Sequence, residues 1–282
     1  MPAEVREHVE KLKHSDPGMR RQAADRLGDI MHPSAVPYLI KALHDPEWRV
    51  RRDATTALGN IRHARALPHL IQALQDPEEQ VRWRAAMALG EIRNKSAVPH
   101  LAKTLEKEGL RVKYYATEAL GHIGHVSAVP YLLKALQNPE EWGVRFRAAE
   151  ALGKIGDESA VPHLIQALQD PIRDVKKHAA ISLGIIGHAS AVPRLTKALQ
   201  DKEAEVRATA VEALGKIGYA LKGKKVEGKE AKALQLVGEH FHEDEEPKII
   251  QKAYLAALEG KVTQKNARLY VKQLHALEGS VK

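Results

Sequence analysis

The sequence predicts an all-α solenoid, and three observations carry that prediction. Glycine recurs after leucine at Gly28, Gly59, Gly90, Gly121, Gly153, Gly184 and Gly215, with every step 31 residues except one of 32. An aliphatic-proline pair keeps the same period at Val36-Pro37, Leu67-Pro68, Val98-Pro99, Val129-Pro130, Val161-Pro162 and Val192-Pro193. Within each period the apolar residues fall at helical spacing. Periods of this size mark stacked units, none of which buries its apolar face alone.

Residues 34–62, SAVPYLIKALHDPEWRVRRDATTALGNIR, serve as the type unit. Val36, Leu39, Ile40 and Leu43 form the i, i+3, i+4, i+7 stripe of a first helix, A, with Ser34 expected as its cap and Pro37 in its first turn. Asp45-Pro46 ends helix A and is expected to start a second helix, B, with aspartate as N-cap and proline first in the helix. Helix B is expected to bury Val50, Ala54, Ala57, Leu58 and Ile61, and Gly59 to let a neighbouring helix come close. Each unit is therefore an antiparallel helical hairpin, seven of which are recognisable.

The consensus VPxLIxAL followed by DPExxVRxxAxxALGxIG resembles the HEAT-like repeat of the phycobilin-lyase type. The resemblance covers about residues 15–217, the first copy lacking its Val-Pro pair. It implies a right-handed superhelix with the B helices lining a concave groove. It implies no particular activity, because that family holds bilin lyases, a diiron hydroxylase and simple scaffolds. The paired His-Glu steps of the hydroxylases are missing from helix B, where RD, RW, KY, RF and KH stand instead.

Residues 1–219 are expected to form the solenoid and 220–282 a divergent C-terminal helical cap. A basic connector over 220–230 precedes helical stretches at about 229–242, 247–259 and 263–278.

Composition narrows the function classes. The chain of 282 residues has no cysteine, which removes disulfides, thiolate metal sites and thiol nucleophiles. This fits a reducing compartment or a heat-exposed organism. The charged N-terminal stretch does not resemble a signal peptide and no apolar run reaches membrane-spanning length, so a soluble cytoplasmic protein is expected. The net charge of +8 is spread along the chain: 12 basic against 9 acidic residues from 220 onward, 32 against 27 before. That diffuse excess admits nucleic acid, ribosomes or acidic proteins as partners.

Packing does not dictate the helix B positions two and three residues after the landmark valine, so their occupants carry the functional signal. The second position runs Arg52, Trp83, Tyr114, Phe146, Lys177, Ala208, and the third Asp53, Arg84, Tyr115, Arg147, His178, Thr209. Four of the chain's 12 aromatic residues stand there in consecutive units. Aromatics interleaved with arginine suit anchoring of a protein segment or stacking on bases. Packing of the rings on one another is the competing explanation. Glu118, Glu150 and Glu212, on the same side, favour a protein or peptide over a phosphate chain. The extra residue in NPEEWGV is expected to shift helix B and to bring Trp142 to the rim of the same site.

Arg51, Arg82, Arg145 and Arg207, with Lys113 and Lys176 in the same position, are expected to tie neighbouring repeats together. Most of the 15 histidines follow repeat positions, and His240 and His242 point apart on a helix, so no metal site is expected. Phosphate loops, nucleophile elbows and kinase signatures do not occur. The expected function is a non-catalytic scaffold without cofactor. Its partner-binding residues are Arg52, Trp83, Arg84, Tyr114, Tyr115, Glu118, Trp142, Phe146, Arg147, Lys177 and His178. Nucleic-acid or ribonucleoprotein binding through the same groove is the alternative. An enzyme using Glu118 and His122, of bilin-lyase or base-excising type, is a third reading.

Overall fold

A computed structural model describes residues 1–223, 225, 227–240, 247–263, 265–267 and 270. The described residues form helices, turns and connecting segments, with no strand among them. Two compact units divide the chain, residues 1–151 and 152–282.

The first unit opens with α1 (Ala3–Lys11) and α2 (Pro17–Ile30), followed by the hairpins α3 (Val36–Ala42) with α4 (Trp48–Ile61) and α5 (Leu67–Ala73) with α6 (Glu79–Ile92). The hairpin α7 (Val98–Lys107) with α8 (Leu110–Ile123) follows, then α9 (Val129–Leu136) and the start of α10 (Trp142–Ile155). The B helices α2, α4, α6 and α8 stack in series, each carrying its shorter A helix. In the second unit α11 (Val161–Ala167) packs on α12 (Arg173–Ile186), and α13 (Val192–Ala198) on α14 (Ala204–Ala220). Next, α15 (Lys229–His240) packs on α14, and α16 (Pro247–Leu258) packs on both. The Tyr254 hydroxyl, buried in that packing, meets Thr196 Oγ1 on α13 at 2.6 Å. The last expected helix, 263–278, falls mostly outside the described residues.

The B helices pack through their smallest residues. A Cβ placed on Gly59 would stand 2.9 Å from the Ala88 Cβ, and one on Gly90 the same distance from the Ala119 Cα. The contact recurs between Gly28 and Ala57, and in the second unit between Gly184 and Ala213. Val50, Ala54, Ala57 and Leu58 are buried as expected, whereas Ile61 and, on helix A, Ile40 are only half-buried.

The capping expectations need correction. Ser34 does not cap helix A: a 3-10 turn, Pro33–Ala35, precedes α3, and His32 Nδ1 accepts from the Ser34 N–H. His63, His125 and His188 occupy the same position in their repeats, as do Asn94 and Asp157. Helix B likewise starts later than expected, with Glu47 as N-cap of α4. Asp45 instead folds the turn, accepting from the Glu47 N–H at 2.9 Å.

That leaves Asp45 free for a second task. Arg20 reaches it in bidentate fashion at 2.6 and 2.9 Å, and Arg51 reaches Asp76 identically at 2.7 and 2.9 Å. Arg82 with Glu108, Lys113 with Glu141 and Lys176 with Asp201 continue the series. Each arginine of the series also donates to carbonyls before its own helix, as Arg51 does to Asp45 and Pro46. One side chain thus fixes its own turn and grips the next. The extra residue of the fifth repeat is absorbed here: Asn138 Oδ1 accepts from both Glu140 and Glu141 N–H, and Glu141 receives Lys113. Helix α10 still begins two residues before its valine, as α4 does, so the insertion leaves the register of helix B intact.

Burial pushes the Asp45 carboxyl upward, but the Arg20 hydrogen bond, the Glu47 N–H and the Arg20 and Arg51 charges outweigh it and hold it below its ordinary value. Asp201 behaves alike: Lys176 and the Glu203 N–H outweigh burial. A lowered carboxylate pKa stabilises the fold above the unfolded value, about 3.9. The contribution is lost as the pH falls from there through the folded values. Urea midpoints measured from about pH 6 downward should therefore hold steady and then drop below about pH 4. A flat profile through that window would contradict these rungs.

The B helices of the first three repeats end on left-handed residues, Met31, Arg62 and Arg93, with φ of 52°, 54° and 54°, where the next three use Gly124, Gly156 and Gly187. A side chain costs about 1 kcal/mol in that conformation. Arg93→Gly should raise stability by about 1 kcal/mol in chemical denaturation.

Candidate functional site

Helices α6, α8 and α10 present the unpaired side of their stripes as one connected aromatic cluster in the first unit. Trp83 stacks on Tyr115 at 4.8 Å between ring centres, with 23° between planes. Tyr115 meets Tyr114 edge-on at 5.2 Å, and Tyr114 meets Phe146 edge-on at 5.9 Å. Trp142 closes the row, stacked on Phe146 at 6.0 Å and 48% exposed. The other four rings are half-buried, so each stays partly accessible to solvent. Both explanations given by the sequence are therefore partly visible: the rings pack on one another, and they remain accessible.

Guanidinium groups lie over these rings. Arg84 stands 4.1 Å from the Trp83 ring centre and Arg111 5.5 Å. Arg147 covers Tyr114 at 4.7 Å and Phe146 at 5.0 Å. Such placements contribute about 0.5–1 kcal/mol each where exposed. Arg52 approaches Trp48 at 5.6 Å and donates to Asp53 at 2.6 Å.

The acidic residues are matched to particular arginines. Arg147 pairs with Glu150 at 2.7 Å and Glu118 at 3.3 Å. Burial lowers the Arg147 pKa, yet its hydrogen bonds to Glu150 and Tyr114 and the Glu118 charge raise it overall. Arg84 moves the other way: burial, and then repulsion from Arg52, hold it below its ordinary value. Glu118 and His122, expected as a pair on one helix, turn to different partners, Glu118 to Arg147 and His122 to Glu91 at 3.9 Å.

Of the residues expected to bind a partner, Trp83, Arg84, Tyr114, Tyr115, Glu118, Trp142, Phe146 and Arg147 come together in this cluster, with Arg52 beside it. Lys177 and His178 belong to the second unit, where Lys177 pairs with Glu205 at 2.8 Å. Arg111 escaped the sequence reasoning. It stands one residue before its landmark valine, a series that runs Arg49, Gln80, Arg111, Gly143, Asp174, Glu205 and shows no pattern by itself.

Among the described residues, no group of three or more histidine, aspartate or glutamate side chains gathers as a metal-ligand set. No helix of the described residues is long and apolar enough to cross a membrane.

The HEAT-repeat family model matches residues 5–78, 37–110, 67–139, 110–184 and 161–259. The chain belongs to the HEAT-repeat family, and its architecture is the α-solenoid of stacked helical hairpins. The complex of CpcE and CpcF of phycocyanin lyase from Nostoc sp. PCC7120 is similar at 26% identity, over 85% of this chain and 97% of that one, with a TM-score of 0.51. An engineered protein shares the fold at 22% identity, over 97% and 82%, with a TM-score of 0.56. Human deoxyhypusine hydroxylase aligns at 24% identity, over 91% and 95%, with a TM-score of 0.41. No curated protein matches in sequence.

Proposed function

We propose that this chain is a non-catalytic binding module that holds a segment of another protein on the aromatic face of α6, α8 and α10. The observation that carries this reading is the row of five rings, Trp83, Tyr115, Tyr114, Phe146 and Trp142, left half-buried or exposed and flanked by arginine. A solenoid seam built on glycine and alanine has no need of them. Rigid, partly accessible rings supply large contact area at little entropic cost. Glu118 and Glu150 on the same face oppose a continuous run of phosphates, which favours protein over nucleic acid. HEAT units commonly serve protein interaction, and the similar phycocyanin lyase structure is itself a complex of two chains.

The test is capture from lysate of the source organism with wild-type protein and a Trp83→Ala, Tyr114→Ala, Phe146→Ala variant, with and without nuclease. Circular dichroism melting confirms that the variant remains folded. A protein retained by the wild type after nuclease and lost at least tenfold by the variant is the expected result, truncated anchors costing about 2 kcal/mol each. Loss on nuclease treatment would assign the face to nucleic acid, and equal capture by both proteins would return the rings to packing. The similarity at 26% identity supports a second reading, a subunit of a phycocyanin lyase. Chromophore attachment to apo-phycocyanin, followed by absorbance, would select it.

A further inference from the structure

The cation at the Trp83 end of the cluster has no carboxylate bonded to it. Arg84 makes no hydrogen bond and no ion pair among the described residues, and its Nε lies buried without an acceptor, as does Trp83 Nε1. Arg111, exposed and also over the Trp83 ring, makes none either. The carboxylate whose charge acts on Arg84 is Asp53, which is bonded to Arg52 at 2.6 Å and stands 3.9 Å from Arg21.

Comparison with Arg147 shows what is missing. Arg147 occupies the same repeat position as Arg84, three residues after the landmark valine. It is neutralised by two glutamates, Glu118 and Glu150, each six residues after a landmark valine, in the preceding helix B and in its own. Around Arg84 the two equivalent positions hold Thr56 and Met87. Thr56 spends its hydroxyl on the Arg52 carbonyl at 3.1 Å, and a thioether brings no charge. The repeat thus supplies a carboxylate receptor in one place and fills it, and in another leaves it empty beside an aromatic surface.

Resting on the reading of the aromatic face as a protein-binding site, we infer that Arg84 and Arg111 receive a single carboxylate of the bound segment, an aspartate or glutamate flanked by apolar residues that lie on Trp83 and Tyr115. A guanidinium on a ring face, partly withdrawn from water, binds a carboxylate more strongly than an exposed one does. Asp53, whose charge acts on Arg84, and Glu118, held by Arg147 on the neighbouring α8, disfavour a run of negative charges there. That geometry fits an acidic side chain between apolar neighbours and disfavours a nucleic-acid backbone.

Two terminally blocked peptides serve as probes. One has the order leucine, glutamate, phenylalanine, glutamate, leucine; the other replaces both glutamates by glutamine. Binding is followed by Trp fluorescence and by the arginine Nε–H resonances. The wild type should prefer the glutamate peptide by about tenfold, the usual gain from one charge-assisted pair. Arg84→Gln should bring the two peptides to within about twofold, without lowering the melting temperature, because it removes an unpaired half-buried charge.

Met87→Glu is the decisive variant. It restores the internal carboxylate that Arg147 enjoys, so it should abolish the preference while the fold melts no lower than wild type. Equal binding of both peptides to the wild type would overturn the inference, and so would a preference that survives Arg84→Gln or Met87→Glu. If both peptides bind equally and Trp83→Ala weakens both, the carboxylate receptor fails and the aromatic face stands. A thymidine dodecamer that binds tighter than the glutamate peptide, with steep salt dependence, would reassign the cations to phosphate.

Discussion

Gly90→Val should cost about 3 kcal/mol or more of stability, measured by urea denaturation. Even alanine is too large at this position: a Cβ on Gly90 would stand 2.9 Å from the Ala119 Cα and 3.0 Å from its Cβ. The neighbour in contact is backbone, so no rotamer change relieves the clash and the two B helices must part. Alanine recovers about 1 kcal/mol of helix propensity, which offsets only part of the strain. Gly90→Ala should therefore lose about 1–2 kcal/mol. Gly143→Ala supplies the control. A Cβ there meets only the Tyr114 ring, at an ordinary 3.7 Å, and φ is not left-handed. It should be neutral or stabilising by up to about 1 kcal/mol. Equal behaviour of Gly90→Ala and Gly143→Ala would refute the close seam.

The second large effect is expected at the Arg51–Asp76 rung. Both side chains are mostly buried, 13% and 9% exposed, and both do more than pair with each other. Asp76 Oδ1 also accepts from the Glu78 N–H at 2.9 Å, and Arg51 also binds the carbonyls of Asp45 and Pro46. Asp76→Ala leaves a buried guanidinium unpaired and the turn N–H unsatisfied, at a cost of about 3 kcal/mol. Arg51→Met strands the carboxylate, at a similar cost. The double variant should lose clearly less than the sum, because neither partner remains to be stranded. Strict additivity would show the pair to be decorative, like most exposed ion pairs.

Much of this architecture is legible in the chain because its determinants are local and repeated. The Leu-Gly step, the prolines and the apolar stripes each lie within one helix, and repetition separates signal from accident. The regular arginine after the valine was legible as an inter-repeat tie for the same reason, although Arg207, among the described residues, bonds only the Asp201 and Lys202 carbonyls of its own turn. The caps were not. His32 and Glu47 bond the backbone two residues on, which histidine and glutamate do only when the turn has already placed that N–H within reach. Aspartate before proline looked like the better cap, and its true role depends on Arg20, 25 residues earlier. The aromatic cluster was visible as a column of residue types, but the state of its arginines was not. Whether Arg147 or Arg84 is neutralised turns on which residues face each of them across the seam, Glu118 and Glu150 in one case, Thr56 and Met87 in the other.

The rungs also bear on how the chain acquires its structure. Arg20 to Asp45, Arg51 to Asp76, Arg82 to Glu108 and Lys176 to Asp201 close loops of 25 or 26 residues, and Lys113 to Glu141 closes one of 28. Closing each loop therefore carries nearly the same entropic penalty wherever in its unit it begins. Nothing in this arrangement makes one hairpin an obligatory starting point, so folding can begin at several places and spread in either direction. Adding a repeat adds rungs without lengthening any loop, which lets such a chain grow without becoming slower to fold.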